Sequence, residues 1–308
     1  MKKITFIYQL MSFCIKTLTY TKLNKIKGLV GLIYYGFSWV ANILYKSDKQ
    51  IIVSCNIRKD TVVSLTTYGE RTKTVHITID SILSQSIRPY KIILWLSETE
   101  YNSSNLPMEL VWRMQKYNFF DVAFCEDLKP HKKYFESMKK YPNYNVVTAD
   151  DDVFYPVNWF ETLINLHLSN PTSICCTMAH KITLSDGIIN EYNKWEKRTL
   201  CTGPSLFLCP VGIGGVLYPP NSLSKDVFNI EVIKATCLYA DDLWLKTMSL
   251  INGTNVVKSN KYYSEFLCVK GSQLLSLSKL NVTKKKNDVQ MKKIIKIYND
   301  EIYKKLEL

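Results

Sequence analysis

The chain reads as an α/β protein built on a mostly parallel open sheet, and three features carry that reading. Apolar runs of strand length alternate with stretches of helical period from about residue 60 to residue 150. Serine and proline signals punctuate them, as at Ser86 and Pro89 and again at Pro142. The alternation then stops at three consecutive aspartates, Asp150, Asp151 and Asp152, directly behind an apolar run, and carboxyl ends of strands are where open α/β sheets bind ligands.

Taken in order, Thr61, Val62, Val63 and Thr66 supply the β-branched residues of a first strand, which leads into Thr67-Tyr68-Gly69-Glu70-Arg71. Val75, Ile79, Ile82 and Leu83 recur at helical spacing and give the next segment one buried face. Residues 91–96 are the second strand, 106–117 a helix, 119–125 the third strand, and 131–140 a helix closed by Tyr141-Pro142. Residues 144–149 then feed the aspartates. Val153, Phe154, Tyr155, Pro156 and Trp159 follow as an aromatic exit, so the triad is expected beside a packed wall. Residues 159–168 read as a helix and 172–179 as a strand. A loop-rich stretch with Tyr192, Trp195, Pro204 and Pro210 runs into a glycine-dense turn, Gly212-Ile213-Gly214-Gly215, and a short strand. No Lys-Ser or Lys-Thr follows these glycines, which excludes a phosphate loop. They permit close backbone approach to a ligand or to the aspartates, or make a plain tight turn. Residues 243–250 are a helix opened by Asp241-Asp242.

At 308 residues the chain can bury one large core, and its net charge of +13 gathers at its ends. Residues 1–50 carry eight lysines and one aspartate, residues 284–308 carry eight lysines and four acids, and the middle is close to neutral. No arginine-rich groove with interleaved aromatics is present, so no nucleic-acid partner is expected. Residues 28–45 carry no formal charge and have lysines on both sides, but three glycines, Ser38 and Asn42 weaken a bilayer span. Tyr34, Tyr35, Trp39 and Tyr45 spread along the segment, which suits a helix lying in an anionic headgroup layer, with a core helix as the alternative. Residues 1–50 are thus expected to be a membrane-associating helical segment, and a chain starting near Ser47 to be more soluble. Residues 51–283, without repeats or linkers, form one domain, and 284–308 a basic C-terminal helix. Nine cysteines without Cys-x-x-Cys spacing read as buried thiols, not zinc ligands or a disulfide set.

Three adjacent carboxylates repel one another and require a compensating partner if they are packed. Mg²⁺ or Mn²⁺ fits, because carboxylates at i and i+2 can converge on one ion shared with substrate phosphates; a solvated acidic turn is the alternative. Asp241 has the position of a helix cap, whereas Asp242, next to Trp244, is expected to face the interior. Tyr192, Trp195 and Trp244 offer flat apolar faces for a sugar, or ordinary core packing. His131 and His180 lack metal spacing and read as structural or substrate-orienting.

In this order the pieces resemble a bacterial GT-A-fold glycosyltransferase, of the family-2-like type that builds capsule and lipopolysaccharide chains. They are Val63-Ser64-Leu65-Thr66-Thr67-Tyr68, Ser81-Ile82-Leu83-Ser84-Gln85, Pro130-His131-Lys132-Lys133-Tyr134, the segment from Thr148 to Pro156, the segment from Gly212 to Pro220, and Ala240-Asp241-Asp242-Leu243-Trp244. The resemblance implies a Rossmann-like nucleotide half at 60–155 and an acceptor half at 156–283. It implies a nucleotide-sugar donor, UDP-linked rather than GDP-linked, and Mn²⁺ or Mg²⁺ held by Asp150 and Asp152. Thr66, Tyr68, Arg71, Lys132, Asp150 and Asp151 would line the donor site, and Asp242 would be the catalytic base of an inverting reaction. Tyr192, Trp195, Gly214, Gly215, Asp241 and Trp244 would face a lipid-linked or polysaccharide acceptor at the cytoplasmic face of the inner membrane. The first strand departs from the family's Pro-x-Tyr-Asn ending, which bears on recognition of the base. An aspartyl phosphotransferase and a non-catalytic membrane scaffold are the rival classes.

Overall fold

The computed structural model describes residues 2–20, 29–47, 51–260, 266–270 and 286–306. Two helices, α1 (Lys2–Tyr20) and α2 (Leu29–Ser47), precede β1 (Ile57–Thr66), α3 (Val75–Leu83), β2 (Arg88–Ser97), α4 (Met108–Lys116) and β3 (Phe120–Cys125). Next come α5 (Lys132–Lys140), β4 (Asn145–Ala149), α6 (Trp159–Ser169), β5 (Ile174–Cys176) and β6 (Ala179–Lys181). A small hairpin of β7 (Leu184–Ser185) and β8 (Ile188–Ile189) is followed by β9 (Leu208–Pro210), β10 (Val216–Tyr218) and α7 (Ile230–Thr236). The chain closes with α8 (Asp241–Asn252), β11 (Val256–Lys258) and α9 (Lys286–Leu306).

Seven strands form the central sheet in the order β11-β5-β10-β4-β1-β2-β3. All neighbours are parallel except β10, which runs antiparallel to both β4 and β5. Both faces are covered, which is why the strands are apolar almost throughout rather than alternating. Val63, Leu65, Ile92, Leu94 and Val147 join the core formed with α3, α4 and α6. On the opposite face Ser64 and Trp95 meet α5, where Trp95 Nε1 donates to Ser137 Oγ at 2.8 Å. A second core around Tyr134, Trp244 and Ile294 lies between α5, α8 and α9.

This topology decides where a ligand can sit. The chain steps outward from β1 through β2 to β3, then returns to place β4 on the other flank of β1, so a crevice opens beyond the carboxyl ends of β1 and β4. Because β10 is reversed, Val216 pairs with Thr148 and the glycine turn just before β10 reaches the same crevice.

The expected strand at 172–179 is two strands. It breaks at Thr177 and Met178, so β5 stays in the main sheet while β6 pairs with β9 in a separate one. Nor does packing break near residue 50. Ile4, Ile7, Tyr8, Met11 and Ala41 are buried in the same core as the sheet. Tyr8 Oη donates to the Phe154 carbonyl at 2.6 Å, and Tyr45 Oη donates to Asp80 Oδ2 at 2.6 Å. Among the described residues no helix is long and apolar enough to cross a membrane. The C-terminal helix found at α9 is likewise integrated, burying Met291, Ile294, Tyr298 and Ile302.

Candidate active site

The aspartate triad begins where β4 ends, and its side chains divide between two cations, Lys133 and Arg71. Asp150 Oδ1 accepts from Lys133 Nζ at 2.9 Å, while its backbone N–H donates to Tyr155 Oη at 2.9 Å. Asp151 Oδ1 lies 2.6 Å from an Arg71 terminal nitrogen, and its Oδ2 accepts from Thr67 Oγ1. The same Arg71 nitrogen is 2.5 Å from Asp152 Oδ2. Burial lowers the basicity of Arg71, but Asp151 and Asp152 outweigh it and leave the guanidinium firmly charged. Burial raises the Asp151 carboxyl above its ordinary range, with Arg71 pulling against it. In this fold, then, two cationic side chains supply the compensating charge that adjacent carboxylates require.

The second acidic pair comes from the first turn of α8, where neither side chain caps the helix. Asp241 Oδ2 sits 2.9 Å from Lys133 Nζ, so one buried lysine spans both acidic clusters. Burial pushes Asp241 up, yet Lys133 more than offsets this and holds it below the ordinary carboxylate value. Burial works against the charge on Lys133 too, but Asp150, Asp241 and Asp242 keep it protonated. Asp242 is the exception. Burial and the neighbouring Asp241 push its carboxyl up to about 7, against the pull of Lys133. Its Oδ2 accepts from the Gly212 N–H at 3.1 Å.

Gly212 explains part of the glycine turn. A Cβ at this position would stand 3.0 Å from Asp242 Oδ1, 3.2 Å from Lys133 Nζ and 3.3 Å from Asp150 Oδ1. The other two glycines serve packing, which corrects their expected place in an acceptor site. A Cβ on Gly215, with φ of +83°, would lie 2.4 Å from Trp159, and the Gly214 carbonyl accepts from Trp159 Nε1 at 2.7 Å.

These groups line one cavity of about 720 Å³, within the usual range for small-molecule sites. Thr66, Tyr68, Arg71, Lys132, Asp150, Asp151, Asp152, Tyr192, Asp241 and Asp242 all border it. Lys132 is ion-paired with Asp127 at 2.6 Å. Trp195 and Trp244 do not reach the cavity: Trp195 is buried with Nε1 donating to the Asn190 carbonyl, and Trp244 is buried with Nε1 donating to the Val227 carbonyl. Tyr192 does, although Lys197 Nζ stands 3.1 Å from its ring centroid and covers one face. His131 is buried, its two nitrogens bonded to Tyr134 Oη and the Cys237 carbonyl, and burial lowers its pKa, so its role is structural. His180 borders the cavity and accepts from the Arg198 N–H. Thr67, Lys133 and Asn287 are site residues that the sequence did not single out, whereas Gly212 comes from the turn expected to approach the aspartates. Lys133 stood beside Lys132 in the same motif, but adjacent residues on a helix point about 100° apart, and only the fold shows which one meets the acids.

Five carboxylates face Arg71 and Lys133 here, so a surplus of negative charge with hard oxygen donors remains and suits a divalent cation. Among the described residues no three Asp, Glu, His or Cys side chains converge as a complete ligand set.

No family model and no curated protein matches this chain. Among solved structures it is similar to the mannosyltransferase PcManGT from Pyrobaculum calidifontis in complex with GDP-Man and Mn²⁺, at 10% identity and a TM-score of 0.47, covering 95% of this chain and 76% of that one. It is also similar to S. aureus TarS 1-349, at 10% identity and a TM-score of 0.43, covering 76% and 66%. Likenesses at this level carry no weight for the site, whose chemistry rests on its own residues.

Proposed function

We propose that the chain is a GT-A-fold glycosyltransferase that moves a sugar from a nucleoside-diphosphate donor to an acceptor hydroxyl with inversion. One observation carries the reading: a single cavity at the carboxyl ends of β1 and β4 holds two acidic clusters with different partners. One is partly balanced by Arg71 and keeps surplus carboxylate for a metal-bound diphosphate; the other ends in Asp242, whose proton affinity lies near neutrality. A carboxylate that titrates near the working pH is what a general base needs.

The diphosphate of the donor belongs beside Thr67, Arg71 and Asp150 to Asp152, within reach of Arg71 as a phosphate partner. Asp150 and Asp152 would hold Mn²⁺ or Mg²⁺, which when bound neutralises charge on the departing diphosphate. Asp242 takes the proton from the acceptor hydroxyl as the new C–O bond forms and the bond to the diphosphate breaks. The Gly212 N–H fixes the carboxylate's orientation, and Lys133 ties its helix to the donor cluster. A single in-line displacement of this kind gives a β-linked product from an α-linked donor.

Isothermal titration of the full chain with UDP and GDP in Mn²⁺ tests the donor half. Binding is expected for the uridine nucleotide, abolished by EDTA and by Asp152→Ala, and retained in Asp242→Asn. Nucleotide binding that is indifferent to Asp152 and to chelation rules the assignment out. A panel of UDP- and GDP-sugars, scored for donor hydrolysis, then identifies the sugar.

A further inference from the structure

We propose that the outward face of α1 and α2 is a docking surface for an anionic lipid interface, with both helices lying in the plane of the headgroups. The two helices pack against each other and are strictly two-sided. Ile4, Ile7, Tyr8 and Met11 on α1 and Ala41 on α2 are buried in the domain core. On the opposite sides, Phe6 and Phe13 are 58% and 69% exposed, and Leu32, Tyr35 and Trp39 are 71%, 61% and 63% exposed. Ile43 continues the α2 stripe, giving positions 32, 35, 39 and 43, one face of a helix. Large aromatic and aliphatic side chains aligned outward on adjoining helices are not the scattered apolar residues of an ordinary surface.

Charge selects the occupant. The first fifty residues carry eight lysines and one aspartate, which suits an anionic headgroup layer. The same excess of positive charge on a second copy would repel it. The inner faces fix the in-plane orientation. Besides the Tyr8 and Tyr45 hydroxyl bonds already described, Asn42 Nδ2 donates to the Cys268 carbonyl at 3.1 Å and its Oδ1 accepts from the Lys270 N–H at 2.9 Å. Helices so pinned present one side only, as interfacial helices do.

The docking helix is also a wall of the cavity. Tyr34, on the inner side of α2, borders it together with Cys268, to whose Sγ its hydroxyl donates at 2.8 Å. Docking would therefore bring this wall of the cavity toward the headgroup layer, which on the glycosyl-transfer reading suits a lipid-linked acceptor.

Flotation of the full chain with phosphatidylcholine vesicles, with and without phosphatidylglycerol, tests the surface. The protein is expected to float with anionic vesicles at low salt and to be partly released at high salt. A Phe13→Ser/Trp39→Ser variant is expected to lose about tenfold or more in partitioning, whereas Ile188→Ser, an exposed apolar residue on the β7–β8 hairpin that packs against α9, behaves as the parent. Thermal denaturation confirms that both variants fold. The proposal is overturned if the parent stays unbound on anionic vesicles at low salt, or if the double variant floats equally well. A concentration-dependent dimer by light scattering, abolished by the same substitutions, also overturns it and names a second copy as occupant. Mn²⁺-dependent nucleotide binding is measured in parallel and is expected to survive the double substitution. Flotation without nucleotide binding in the parent would sink the transferase reading and leave the docking surface standing.

Discussion

Asp242 shows how one residue's chemistry is made by its surroundings. It follows Asp241 in sequence, yet Lys133 holds Asp241 down while burial and Asp241 itself push Asp242 up to about 7. As a base it must be deprotonated, so kcat/KM is expected to rise with pH below about 7 and level off above it. Asp242→Asn is expected to lower turnover by about 10²–10⁴-fold, to keep nucleotide affinity and to lose that pH limb. Stability runs the other way. A carboxyl whose proton affinity is raised by folding stabilises the fold below the ordinary carboxylate range and loses that contribution as pH rises through about 7. The Asn variant should therefore gain in melting temperature over the parent at pH 8 and show no such gain at pH 4. An unchanged pH–rate profile would demote Asp242 to a packing residue.

At the scale of elements, the glycine turn before β10 does two separate jobs that its spelling does not distinguish. Gly215, at φ of +83° and against Trp159, is held by backbone conformation and indole packing. Gly215→Ala is expected to cost roughly 2–4 kcal/mol of stability, read from the urea midpoint. The atoms nearest a Cβ at Gly212 are the ends of side chains, those of Asp242, Lys133 and Asp150. Gly212→Ala should leave the midpoint nearly unchanged and lower turnover by about tenfold through displacement of Asp242. If the two substitutions change places in these assays, the division of labour is wrong. β10 is what brings the turn into play, since a parallel strand in that slot would carry it to the opposite edge of the sheet.

Over the whole molecule, the two terminal segments belong to the same body as the sheet. Removing residues 1–50 takes Ile4, Ile7, Tyr8, Met11 and Ala41 out of the core and leaves Asp80, paired with Arg113, without the Tyr45 hydroxyl. Each fully buried large side chain is worth about 1.5–3 kcal/mol, against a total stability of about 5–15 kcal/mol. A chain beginning near Ser47 is therefore expected to aggregate or to melt far below the parent, the reverse of the gain in solubility expected from composition. A soluble truncated protein with the parent's melting temperature would contradict the packing. At the other end, α9 contributes Asn287 to the cavity, and Asp288 accepts the Tyr192 N–H at 2.5 Å.

The sequence by itself determined the parallel α/β core and the place of the Asp150 to Asp152 cluster within it. Both are local signals: the period of apolar residues in each segment, and a run of acids directly after a buried strand. It also marked Asp241-Asp242 as a second acidic site, because an acidic pair flanked by Ala240 and Trp244 is visible without coordinates. Only the tertiary structure decided the partners. That Lys133 rather than Lys132 spans the two clusters, that Arg71 takes two of the three aspartates, and that Gly212 alone of its turn touches the acids depend on contacts between distant segments. So does the two-sidedness of α1 and α2. Their inward and outward residues are alike in hydrophobicity, and the difference between core and surface exists only once the sheet supplies a surface for one side to cover.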